Sequence, residues 1–124
     1  MPLTISYEPP DGVRVIGEGT VSGEDLLEAN AQMYSSPQEV MSCNFQIIDF
    51  TNVNTLNLSN NDVEKLIAQD SEASKLNPNL KIAVVAKEDN IYSILKMWQS
   101  FTAHEAYKSA VFRKLEDAFE WVRQ

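Results

Sequence analysis

The sequence predicts an α/β fold: one mixed, mainly parallel five-stranded sheet with four helices, in the order ββαβαβαβα. Three observations carry that expectation. The chain opens with two stretches of apolar–polar alternation joined by turn residues. Two nearly continuous apolar runs, "NFQIIDF" and "LKIAVVA", then read as strands covered on both faces. Between and after them lie segments of helical period, and strands alternating with helices imply right-handed crossovers and parallel pairing.

"LTISY" (Leu3 to Tyr7) and "VRVIGEG" (Val13 to Gly19) have the two-residue period of half-buried strands. "EPPDG" between them supplies a turn, so the pair is expected to form an antiparallel hairpin. Ser22 caps a helix with Glu24 and Asp25 in its first turn, where the dipole favours acids. Leu27, Ala31 and Tyr34, flanked by Leu26, give that helix its inward stripe, and "SSPQ" ends it. The strand Asn44 to Phe50 follows, then a loop, then a helix from about Asn60 to Ser74 that buries Val63, Leu66 and Ile67. "NPN" breaks the chain before the strand Leu80 to Ala86. A long helix carries a stripe of Ile91, Ile94, Leu95, Trp98 and Phe101. The strand Ser109 to Arg113 precedes a last helix with Leu115, Ala118, Phe119 and Val122. No repeat, low-complexity tract or linker interrupts the 124 residues, which read as one domain over 1–124.

Composition narrows the function classes. Hydrophobic content of 44% and charged content of 23% are globular values. A net charge of −8 argues against nucleic acid, which demands clustered Lys and Arg. The charge is uneven: residues 1–80 carry twelve acids and three bases, a net of −9, whereas residues 81–124 carry six acids and seven bases, a net of +1. Such asymmetry orients protein partners and also makes an acidic, soluble surface. The first residues have neither a basic nor an apolar signal-peptide region, and the run Ile82 to Ala86 is too short for a bilayer. One cysteine forms no internal disulfide, which fits a reducing cytoplasm. The expected setting is cytoplasmic, with neither membrane nor nucleic acid as partner.

Few residues offer catalytic chemistry. "GEGTVSG" (Gly17 to Gly23) has the wrong glycine spacing for a dinucleotide fingerprint and puts two acids where phosphate would sit, so it reads as a strand-to-helix turn. His104 is the only histidine, too little for a metal site or a catalytic triad, and reads as a capping or surface group near the end of a helix. Cys43 has no basic neighbour in sequence and reads as a buried structural thiol at the start of a strand. Glu116, Asp117 and Glu120 match the dipole of the last helix. Asp49 ends a strand at the carboxyl edge of the sheet, where α/β domains place ligands, but an Asx-type turn explains it equally. Tyr92, Met97 and Trp98 on the long helix form a candidate groove or interface. No metal site and no cofactor are expected.

The segment "IIDFTNVNTLNLSNNDVEKL" resembles the junction between central strand and following helix in STAS domains (sulfate transporter and anti-sigma-factor antagonist). In that family the strand ends in Asp, small polar residues flank a Val, and a Ser opens the helix; Asp49, Thr51, Val53 and Ser59 match here. "KIAVVA", Tyr92, Trp98 and "AVFRKLEDAFEWV" are similar to a group of small bacterial SpoIIAA-like proteins, so that the resemblance covers most of residues 44–122. It implies the SpoIIAA-like (STAS-like) fold. In the antagonists the matching serine is phosphorylated by a partner kinase, which stops complex formation; Ser59 is thereby implied as a phospho-acceptor. This chain departs at the helix start, where Asp-Ser-Ser-Gly is replaced by Asn57-Leu58-Ser59-Asn60.

The function expected is a non-enzymatic regulatory or adaptor domain that binds a protein partner, or a second copy of itself as a homodimer. Its contact residues would be Asp49, Thr51, Asn57, Ser59 and Asn60, with Ser59 a helix cap or a phospho-acceptor. The alternative is a carrier or sensor for a small apolar or anionic ligand, bound at the same loop or beside Tyr92 and Trp98.

Overall fold

The structure, a computed structural model, describes residues 2–124. Its elements are β1 (Leu3–Glu8), β2 (Gly12–Ser22), α1 (Gly23–Met33), α2 (Pro37–Ser42), β3 (Phe45–Asn57), α3 (Asn60–Leu76), β4 (Lys81–Val85), α4 (Asp89–Phe101), β5 (Lys108–Phe112) and α5 (Leu115–Val122). The strands lie in chain order, β1-β2-β3-β4-β5, with β1 antiparallel to β2 and all other neighbours parallel.

That order decides where the helices go. Each parallel step moves the same way across the sheet, so crossovers of one hand put α1, α3 and α4 on one face. There Ile48, Phe50, Ile82 and Val84 pack against Met33, Ala73, Leu95 and Trp98. On the other face Ile47, Ala83 and Val85 pack against Ala118 and Val122 of α5. The adjacent Ile47 and Ile48 therefore serve opposite layers, as a central strand requires.

Three expectations are corrected. Among the described residues the helices number five, because Ser36 caps α2 by accepting the Glu39 N–H at 3.2 Å and Pro37 occupies its first turn. With six residues and only Val40 buried, α2 has no apolar stripe to announce it. In α1 the inward face holds Ala29, Asn30 and Met33 while Ala31 is exposed. The buried Asn30 is polar, so a stripe drawn through apolar positions alone takes the wrong phase. Phe101, read as core, is 55% exposed at the end of α4.

The larger correction concerns residues 51–57, read as loop. They continue β3 and pair with the second half of β2, which itself runs on through "GEGTVS" to Ser22. Two bulges explain the difference. Asp49 to Asn52 spans the same length as Ile16 to Glu18, and Val53 to Thr55 the same as Gly19 to Thr20, so β3 carries an extra residue at each place. Inward residues then recur every third position, at Phe50, Val53 and Leu56, instead of every second. Gly19, at φ +68°, supplies the backbone conformation that one of these irregularities needs.

Candidate functional site

The extended β3 carries the loop residues of interest to two separate places. Asp49 and Thr51 stand where β3 outruns β4, whose last pair with it is Asp49 with Val85. Asp49 is buried and fully engaged. Its Oδ2 accepts from Arg14 Nη2 at 2.7 Å, and its Oδ1 accepts from the Thr51 N–H at 3.0 Å and the Thr51 hydroxyl at 2.5 Å. Burial pushes this carboxyl up, but the hydrogen bonds from Thr51 and Arg14 together outweigh it and hold the group below the usual carboxylate range. Asp49 is thus a fixed anion inside a hydrogen-bonded pair, unsuited to proton transfer near neutral pH.

Asn57, Ser59 and Asn60 lie beyond the second bulge, exposed at the start of α3. Ser59 is the N-cap. Its Oγ accepts from the Asp62 N–H at 3.0 Å, and Asp62 Oδ2 accepts from the Ser59 N–H at 3.0 Å, a complete capping box. Leu58 before the cap and Val63 in the helix both pack against the core, which fixes the entry angle. A second box stands beside it: Ser22, paired in register with Asn57, caps α1 reciprocally with Asp25. The two helix starts are in close contact, since a Cβ on Gly23 would lie 2.3 Å from the carboxyl carbon of Asp62.

Tyr92, Met97 and Trp98 do not form one groove. Trp98 is buried, Met97 is 57% exposed, and Tyr92 is half-buried with the Arg113 guanidinium 3.9 Å from its ring centroid. Adjacent helical residues point about 100° apart and residues five apart about 140°, so the three side chains diverge. Met97 and Phe101, one turn apart, are both exposed.

A polar cluster that periodicity did not flag lies inside the larger core. Asp70 of α3 is fully enclosed; it accepts from the Tyr34 hydroxyl at 2.8 Å and from Asn30 Nδ2 at 3.3 Å. Burial raises its carboxyl pKa to about 7, only partly offset by the Tyr34 hydrogen bond. Gln46 donates to the Tyr34 hydroxyl, and the Tyr107 hydroxyl is buried without a partner. The sequence did hold a signal: an acid stands at position 70, one turn from Leu66 on the buried face of α3. Asn30, Gln46 and Asp70 border a cavity of about 60 Å³ walled by Ile48, Phe50, Leu66 and Trp98. Small-molecule pockets run roughly from 300 to 1,000 Å³, so this cavity as it stands is water-sized.

Cys43 caps the C-terminus of α2 instead of opening a strand; its half-buried thiol donates to the Phe45 carbonyl at 3.3 Å, and burial pushes its pKa to about 11. His104 is exposed in the turn after α4. Among the described residues no group of three or more His, Cys, Asp or Glu is placed to hold a metal ion, and no helix is long and apolar enough to cross a membrane.

No protein-family model and no curated protein sequence matches this chain. Solved structures do. The anti-sigma factor antagonist SpoIIAA in its unphosphorylated form superposes with a TM-score of 0.61 at 9% identity, over 98% of this chain and 97% of that one. The Bacillus cell fate determinant SpoIIAA in its phosphorylated form gives 0.62 at 10% identity, over 98% and 99%. A DUF3478 protein with a SpoIIAA-like fold from Shewanella loihica PV-4 gives 0.56 at 14% identity, over 97% and 91%. The chain has the SpoIIAA-like, STAS-type fold, and this likeness extends over nearly its whole length.

Proposed function

We propose that this protein is a non-enzymatic regulatory domain that binds a protein partner through Asn57, Ser59 and Asn60, and that Ser59 is its switch. The observation that carries the reading is the exposed Ser59 held in a capping box at the head of α3, beside the equally capped start of α1. The fold shared with SpoIIAA, solved both with and without phosphate, supports the same reading. Phosphate on Ser59 would add about two negative charges next to the positive end of a helix dipole, so the helix would tolerate it. The effect would fall on the interface, by repelling an acidic partner surface or pairing with a basic one.

The test uses wild-type, Ser59→Ala and Ser59→Asp proteins as baits in lysate of the source cells, with captured proteins quantified by mass spectrometry. A partner held by wild type and Ser59→Ala but lost with Ser59→Asp, at unchanged melting temperature, is the expected result. Identical partners on all three baits would reduce Ser59 to a structural cap.

A further inference from the structure

We infer that the cleft on the α5 face, at the carboxyl ends of β4 and β5, binds a phosphate oxyanion, free or carried by a small molecule. The cleft holds about 520 Å³ and is lined by Arg14, Lys87, Arg113 and Lys114, with Asp49, Thr51, Asn52 and Leu115 completing its wall. Four of the ten Lys and Arg residues of a chain with net charge −8 converge there, against one lining carboxylate. That carboxylate is already matched by Arg14. Among the described residues, only Arg113 of the other three cations has an acidic partner, the exposed Asp89 outside the cleft.

The topology makes the concentration. β3 runs eight residues past Asp49, its last pair with β4, and the residues following β4 and β5 stand beside that extension. Lys87 follows β4; Arg113 and Lys114 follow β5 and lead into α5. The cations differ in how they are held. Arg14 is pinned by Asp49, and its buried Nε has no partner. Arg113 turns its guanidinium toward α4, where Nη1 donates to the Lys87 carbonyl at 3.1 Å and to Asp89 at 2.7 Å and the plane stacks on the Tyr92 ring, so that it adds positive charge at the rim of the cleft. Among the described residues Lys87 and Lys114 form no ion pair, and no side chain caps α5. The guanidinium held by Asp49 and two lysines without ion partners line one opening, with the Arg113 charge at its rim, and such cationic groups are what oxyanions take. The volume lies within the range of small-molecule sites, larger than phosphate alone needs.

The site is independent of the Ser59 reading, because neither Ser59 nor its neighbours line it. Titrations of the full chain with inorganic phosphate and with glucose 6-phosphate, followed by amide NMR shifts at physiological ionic strength, test it. Saturable shifts at Asn52, Lys87 and Leu115 are expected, and the tighter of the two ligands identifies the source. Lys87→Ala/Lys114→Ala, exposed positions that leave the core intact, should weaken binding at least tenfold; Lys65→Ala/Lys75→Ala, with the same charge change on α3, should alter it less than twofold. Absence of saturable binding by both ligands, or equal weakening by both double variants, overturns the site.

Discussion

A Cβ placed on Gly23 would stand 2.3 Å from the carboxyl carbon of Asp62, so the first turn of α1 leaves no room beside the capping box of α3. Gly23→Ala must displace the Asp62 side chain and break its bond to the Ser59 N–H. The substitution should lower stability by about 1–2 kcal/mol, although alanine is the better helix former. Urea unfolding measures it; an unchanged or higher midpoint would show that Asp62 swings away without loss.

Ser59→Ala removes one acceptor from an exposed cap and should cost about 1 kcal/mol. Ser59→Asp should be nearly neutral, because aspartate caps as well and its charge suits the helix start. A thermal melt of both variants checks the pair, and a large loss with aspartate would rule out any switch that leaves the fold intact.

Asp70 predicts a pH dependence. Its folded pKa, about 7, is raised above the ordinary 3.8, so its contribution to stability is complete below about pH 4 and is lost as pH rises through 7. Asp70→Asn keeps an oxygen for Tyr34 but carries no charge. Its stability relative to wild type should climb between pH 4 and 7 by up to about 1.4 kcal/mol per pH unit and level off above. Parallel stability curves for the two proteins would contradict the burial of a titrating carboxyl.

On α4 the costs should separate by face. Trp98→Ala empties a core position and should cost about 3–5 kcal/mol. Tyr92→Ala loses half-buried packing and the Arg113 stack, roughly 1 kcal/mol. Met97→Ala, at an exposed position, should fall within about 0.5 kcal/mol of wild type. Denaturant titrations of the three variants decide this, and equal losses would mean that the helix is enclosed on all sides.

The Cys43 thiol, with its pKa raised to about 11, should be about one part thiolate in ten thousand at pH 7. Iodoacetamide should therefore modify native protein slowly and unfolded protein much faster. Rapid labelling of the native state would place a reactive thiol at the end of α2.

Local chemistry determined most of the architecture without help from the fold. The hairpin turned by "EPPDG", the two-sided strands around Ile47–Ile48 and Ala83–Val84, and the stripes of α3 and α5 follow from periodicity and turn residues, because burial on a regular element imposes a regular pattern. The Ser59 cap was legible for the same reason: it is a contact between residues three apart. What failed was nonlocal. The outer half of β3 has the pattern of a loop because two bulges against β2 change its inward period from two to three, and bulges are settled by the partner strand. Apolar periodicity points Ala31 and Phe101 inward, but the buried Asn30 sets the phase of α1 and Phe101 stands at the exposed end of α4. The Asp70 cluster joins residues far apart in the chain, and so does the convergence of Arg14, Lys87, Arg113 and Lys114. Only the tertiary structure decides such meetings, since strand order and crossover direction, which no local segment encodes, bring the Asp70 partners together under α1 and α3 and the cations together at the carboxyl edge of the sheet.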